Sequence, residues 1–243
     1  MNHLSATLIF AATSLNRQIK PRMKKSVCSL LFVMLVCNSF AQTKPATQSD
    51  PSAKKILDAV SAKFKTYKGV QATFSFTTED AKGKVQGTKK GSLFMKGNKY
   101  RVTLVAAQDI FCDGVNIWTY DKGANEVTLS KFDPGQNTIT PQKLFTNFYD
   151  KDFLYKLNGE KKEGNRTLQE IELTPFDKSK PFFKVYVWID KATQTIYRTK
   201  VMEKGGNRYT YTVASLKANA ALTDAQFVFD KKKYPGVELI DLR

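Results

Sequence analysis

The 243-residue chain holds one histidine, His3, and three cysteines, Cys28, Cys37 and Cys112. It contains no glycine-rich phosphate loop, no low-complexity tract and no internal repeat. Its apolar run near the start, Val27 to Cys37, is about half the ~20 residues a membrane-spanning helix needs. These scarcities exclude whole classes of chemistry. Without a second histidine there is no His-based zinc site, and three scattered cysteines give no metal-ligand spacing.

The start of the chain sharpens this. From Met23, the basic pair Lys24-Lys25, the apolar run and Ser39-Phe40-Ala41 have the three parts of a secretory signal with its cleavage site. Residues 1–41 are therefore expected to be removed, 1–22 being an extension upstream of a start at Met23. Cys37 admits a second reading, lipid modification, but Val36 stands where that signal expects a small residue. The expected processed chain has no histidine and a single thiol. That rules out Ser-His-Asp or Cys-His nucleophiles and any internal disulfide in an oxidising compartment. No cofactor and no metal are expected. Catalysis by paired carboxylates, with Asp109, Asp113 and Asp121 as the nearest acids, is disfavoured because Asp113 and Asp121 fall at turns. The chain is not expected to be an enzyme.

Charge points to a surface partner. The formal net charge is +17, and residues 1–41 carry five cations and no acid, leaving about +12. An exported basic protein meets anionic lipid or acidic protein more readily than nucleic acid. Solubility alone explains the charge equally well.

Residues 42–49 read as a flexible leader and 50–243 as one domain with one core. Asp50-Pro51 is an N-cap with proline in the first turn. Ile56, Leu57, Val60 and Phe64 follow at helical spacing, and Gly69 is expected to end the helix. The period then becomes two, beginning with Val70, Ala72, Phe74 and Phe76. Turn signals recur at Gly83, Gly97-Asn98, Asp113-Gly114, Gly123-Ala124-Asn125 and Gly205-Gly206-Asn207, each between β-branched or aromatic runs. The pattern predicts an α+β, mainly antiparallel domain of about eleven strands. A sheet that long curls, and its apolar concave face needs a cover. Between Asp133 and Asp152, Thr140 to Phe148 reads as a short capped helix with Leu144, Phe145 and Phe148 on one apolar face.

Several segments together resemble the outer-membrane lipoprotein carrier (LolA) family. They are VQATFSFT (70–77), GSLFMKGNKYRV (91–102), DGVNIWTYD (113–121), TIYRTKVMEKGGNRYTY (195–211) and AQFVFDKKKYPGVELID (225–241). The resemblance implies an unclosed β-barrel with a helical lid over an apolar cavity. It also implies a periplasmic monomer that takes acylated lipoproteins from an inner-membrane ABC transporter to the outer membrane, handing them to a receptor where one exists. Many family members place an arginine after the lysine of the first hairpin, as a lid latch. Here Gly97 follows Lys96, and Arg101 is displaced.

Regular apolar faces give the candidate lining: Phe74 and Phe76, Leu93 and Met95, Tyr100, Val102 and Leu104, and Phe183, Val185 and Val187. Leu144, Phe145 and Phe148 are the candidate lid. Periodicity supplies only direction, since the same alternation serves an ordinary core. The competing function is a carbohydrate- or protein-binding β-module without lipid cargo.

Overall fold

The computed structural model describes residues 49–133 and 148–243. The expected signal, nearly all of the leader, and Leu144 and Phe145 lie outside them.

Helix α1, Pro51–Lys65, starts where the sequence places it: the Asp50 carboxylate accepts from the Ser52 N–H at 2.8 Å. Its end differs from expectation. Thr66 closes the helix, with its N–H and hydroxyl both donating to the Lys63 carbonyl. Gly69 lies four residues beyond α1, and its role is close approach: a β-carbon there would sit 2.6 Å from the Ala220 carbonyl oxygen.

Among the described residues twelve strands follow: β1 (Val70–Glu79), β2 (Val85–Lys96), β3 (Lys99–Leu104), β4 (Gln108–Cys112), β5 (Asn116–Asp121), β6 (Glu126–Lys131), β7 (Phe153–Glu163), β8 (Arg166–Pro175), β9 (Phe182–Asp190), β10 (Thr195–Glu203), β11 (Arg208–Ala218) and β12 (Glu238–Asp241). They form one sheet in the order β12-β6-β5-β4-β3-β2-β1-β11-β10-β9-β8-β7. Its end strands do not pair, so the barrel is unclosed. Every expected glycine turn joins two antiparallel neighbours. The strand beyond the expected count is β12, which pairs parallel to β6. A parallel strand follows a crossover rather than a tight turn, so counting hairpins passes over it.

An open sheet leaves edges that must be kept from pairing with other chains. On β7 the Asp50 N–H donates to the Tyr155 carbonyl at 2.9 Å and the Asp50 carboxylate accepts from the Leu157 N–H at 3.0 Å. A bulge follows at Gly159, whose φ of 131° suits glycine. Glu160-Lys161-Lys162-Glu163 then charges the rest of that edge.

Short helix α2, Phe148–Asp152, leads into β7. Both helices pack on the inner face. Ala53, Leu57 and Val60 of α1 and Tyr149 of α2 meet β7 to β10, while Phe64 meets β1 to β4. The opposite face is covered at β4 to β6 by the C-terminal tail, where Phe229, Tyr234 and Val237 pack on Phe111, Val127 and Tyr120. Two 3-10 turns, Asp224–Phe227 and Lys231–Lys233, carry the tail there. Among the described residues no helix is long and apolar enough to cross a membrane, and no group of His, Cys, Asp and Glu is set to hold a metal ion.

Candidate functional site: the apolar inner face

Alternation along each strand, combined with the register, decides which side chains face α1. Val70 pairs with Met95, Leu93 with Val102 and Val102 with Ile110, so these side chains form apolar rows across β1 to β4. The rows continue across the long arm, where Val201 pairs with Val185 and Val185 with Leu173. Leu93, Met95, Tyr100, Val102, Leu104, Val185, Val187 and Phe76 are all buried on this face. Phe74 is partly buried between the Phe64 cluster and a third cluster of Phe76, Leu104 and Tyr209. Phe148 belongs to α2, and its side chain is not among those described.

Phe183 is corrected. It is 46% exposed, whereas Phe182 is 7% exposed. A register shift between β9 and β10 sets Lys184 opposite Met202 but Phe182 opposite Glu203, so Phe183 is the extra residue of a bulge. A bulge changes the phase of alternation. Phe182 therefore takes the inner position that Phe183 would occupy on an unbroken strand, and its ring stacks on Phe153 at 6.2 Å. The adjacent Phe-Phe pair is the only mark this leaves in the sequence. Ile171, Leu173 and Val201 were also not among the expected lining residues, although they share the face.

The thiol and two phenols on this face are held protonated. Burial pushes the Cys112 thiol up to about 11, keeping it protonated, and raises the phenols of Tyr100 and Tyr211 above their ordinary range. Asp113 and Asp121 cap their own turns, accepting from Asn116 N–H at 2.7 Å and Gly123 N–H at 2.7 Å respectively. Asp109 is buried on the other face, where Lys122 stands 2.8 Å and Arg101 3.8 Å away.

Arg101 therefore points away from α1, its guanidinium 4.6 Å from the Phe111 ring centroid. What holds α1 down is different. Tyr149 donates its hydroxyl to Asp58 at 2.8 Å, Lys54 bridges Asp58 at 3.1 Å and Asp150 at 3.2 Å, and the Lys63 ammonium donates to the Thr193 carbonyl at 2.5 Å. Burial alone would raise the Asp58 carboxyl, but the hydrogen bonds from Tyr149 and Lys54 outweigh it and hold it below the usual aspartate value. A clasp of two helices thus lies over the inner face. Between α1 and the sheet a cleft of about 10 Å³ remains, lined by Val60, Phe64, Tyr67, Ile196 and Leu216 among others. That is room for about one water molecule.

Comparison with known proteins places the chain in a family. The family model described as outer membrane lipoprotein carrier protein LolA matches residues 65–230. An outer-membrane lipoprotein carrier protein of Cupriavidus necator is 28% identical over 159 residues, 64% of this chain and 72% of that one. Its counterpart in Cupriavidus taiwanensis is 28% identical over 167 residues, 65% of this chain and 76% of that one. Among solved structures, an uncharacterized conserved protein from Thermus thermophilus shares the fold. Its TM-score is 0.52 at 15% identity, covering 78% of this chain and 99% of that one.

Proposed function

The chain belongs to the family of the outer membrane lipoprotein carrier protein LolA, and on that premise we propose that it carries acylated lipoproteins. It holds their acyl chains against the inner face and moves them through the periplasm from the inner to the outer membrane. Its donor on this reading is an inner-membrane ABC transporter, and its acceptor the outer membrane or a receptor there. Residues 1–41 are the export signal, and residues 50–243 one carrier domain without catalytic activity.

The observation that carries the proposal is the cover of the inner face: apolar rows spread over many strands lie under one 15-residue helix and a short second one. The cleft beneath α1 has no room for an acyl chain, so on this reading α1 leaves the sheet when cargo enters. The energies allow it. Leu57, Val60 and Phe64 at about 1.5–3 kcal/mol each amount to roughly 5–9 kcal/mol of burial. An acyl chain of about 16 carbons at ~0.8 kcal/mol per CH₂ gains on the order of 12 kcal/mol when it leaves water. The two occupants of the face are close enough in energy to exchange, so the helix can displace cargo as well as yield to it. Leu144, Phe145 and Phe148 join this proposal as a second apolar cover on their sequence alone.

Native mass spectrometry of the detergent-free protein with a synthetic acylated lipopeptide tests it. A one-to-one complex, weakened several-fold by Val102→Thr and Val187→Thr in proteins that still unfold cooperatively, is the expected result. No complex with the folded protein would reduce the inner face to core. The half-buried outer-face pair Tyr186–Trp188, 5.9 Å apart, would then favour a binding module without lipid cargo.

A further inference from the structure

One end of the sheet gathers the β1–β2 turn, the β8–β9 loop and the β10–β11 turn, and hydrogen bonds join these loops. The Lys204 N–H donates to the Pro181 carbonyl at 2.9 Å, and its ammonium donates to the Lys178 carbonyl. Arg208 donates to the Ala81 carbonyl at 2.7 Å, bringing Lys82 and Lys84 alongside. The loop also holds the Phe176 N–H against the Asp152 carbonyl of α2 at 3.0 Å.

Two aromatic side chains stand in water here. Phe176 is 51% and Phe183 46% exposed, the latter because of the bulge in β9. Two large aromatics exposed at one end of the β8–β9 hairpin mark a contact surface more often than a scattered single apolar residue does. The neighbouring acids are engaged: Asp177 accepts from the Ser179 hydroxyl at 2.6 Å, and Asp80 accepts from the N–H groups of Lys82 and Lys84 at 2.9 Å each. The hydrogen bonds from Ser179, and then the charges of Lys180 and Lys204, hold Asp177 below the usual carboxylate range.

We propose that this corner docks on an anionic lipid bilayer, with Phe176 and Phe183 entering the headgroup layer and Lys178, Lys180 and Lys204 on the lipid phosphates. Two exposed aromatics in loops where Lys82, Lys84, Lys178, Lys180 and Lys204 outnumber Asp80 and Asp177 match a surface that is apolar a few ångströms down and negative above. An acidic protein patch would engage the lysines but would leave the two rings in water. The bulge sets Phe183 outside while Phe182 closes the inner apolar cluster behind it. A carrier so docked would have the end of its acyl-binding face at the membrane, a consequence that rests on the proposed function, although the docking itself does not.

Sedimentation with vesicles of phosphatidylethanolamine and phosphatidylglycerol tests it, using the protein as the cell processes it and vesicles of phosphatidylcholine for comparison. Binding to the anionic vesicles alone is expected, weakening with salt. Replacing Lys178, Lys180 and Lys204 together with Gln is expected to cost roughly 100-fold, at about tenfold or less per lysine. Phe176→Ser with Phe183→Ser is expected to cost at least about tenfold. A control with Lys161, Lys162 and Lys217 replaced by Gln, at the opposite end of the sheet, loses the same charge and should change binding little. Equal loss in both lysine sets, equal binding to phosphatidylcholine, or no binding at all would overturn the proposal. Lipopeptide binding by the same variants, measured separately, tells a failure of docking from a failure of the cargo assignment.

Discussion

The ring of Phe74 fills the space above Gly91: a β-carbon on Gly91 would sit 2.4 Å from Phe74 Cζ and 2.8 Å from the Thr103 carbonyl oxygen. Glycine is required here by space rather than by backbone angle. Gly91→Ala should therefore overpack the face between β1, β2 and β3 and destabilise by about 1–3 kcal/mol. Thermal unfolding of Gly91→Ala, alone and with Phe74→Leu, checks this. The cost should shrink, though not vanish, when the ring is gone, because the Thr103 carbonyl remains.

The bulge in β9 makes neighbouring phenylalanines unequal. Phe182→Ala should cost about 3–5 kcal/mol, as a buried aromatic does, while Phe183→Ala should stay within about 0.5 kcal/mol. Denaturant titration of the two variants decides the phase of the strand. Equal losses would mean that the alternation runs unbroken.

Arg101 belongs to a partly exposed ion cluster on the outer face. Asp109→Ala leaves the cations of Arg101 and Lys122 without their partner and should destabilise by about 1–3 kcal/mol. Lipopeptide affinity should not change, since the inner face is untouched. A large change in affinity on replacing Arg101 would instead identify it as a latch.

The clasp on α1 predicts an acid response. Asp50 is held below the ordinary aspartate value by the N–H groups of Leu157 and Ser52, and Asp58 by Tyr149 and Lys54 despite its burial. A carboxyl lowered on folding contributes its stability in full above the unfolded value, near 3.8, and loses it as pH falls through the lower folded value. The seating of α1 should thus weaken below about pH 4. Hydrogen exchange of α1 amides at pH 3 and pH 6, in the native chain and in Asp50→Asn with Asp58→Asn, checks the sign. The double variant should lose protection at pH 6 and show less further loss at pH 3.

Much of this was legible in the sequence. Asp50-Pro51, the period of α1, the period-two runs and the glycine turns describe a long antiparallel sheet with one helix before it, and the family resemblance implied that it stays open. Local chemistry settles those features. What stayed hidden depends on partners distant in the chain: β12 finds β6 through a tail, Gly69 answers to Ala220, and the bulge at Phe183 is set by the register against β10. The inner-face positions on β1 to β4 could be read because those strands alternate without interruption there. Gly97 after Lys96 could be read from the sequence, whereas the hydrogen bond from Tyr149 to Asp58 joins residues 91 positions apart.

The central claim is that α1 and cargo compete for one face, and Leu57→Ala tests it most directly. Leu57 is 4% exposed beneath α1, and truncating it should cost the cargo-free form about 2–5 kcal/mol. The measurement is lipopeptide affinity beside thermal stability for this variant and the native chain. Lower stability with cargo bound roughly tenfold or more tightly is the predicted result, because the helix being displaced has been weakened. Lower stability with unchanged or weaker binding would contradict competition, and α1 would be a fixed part of an ordinary core.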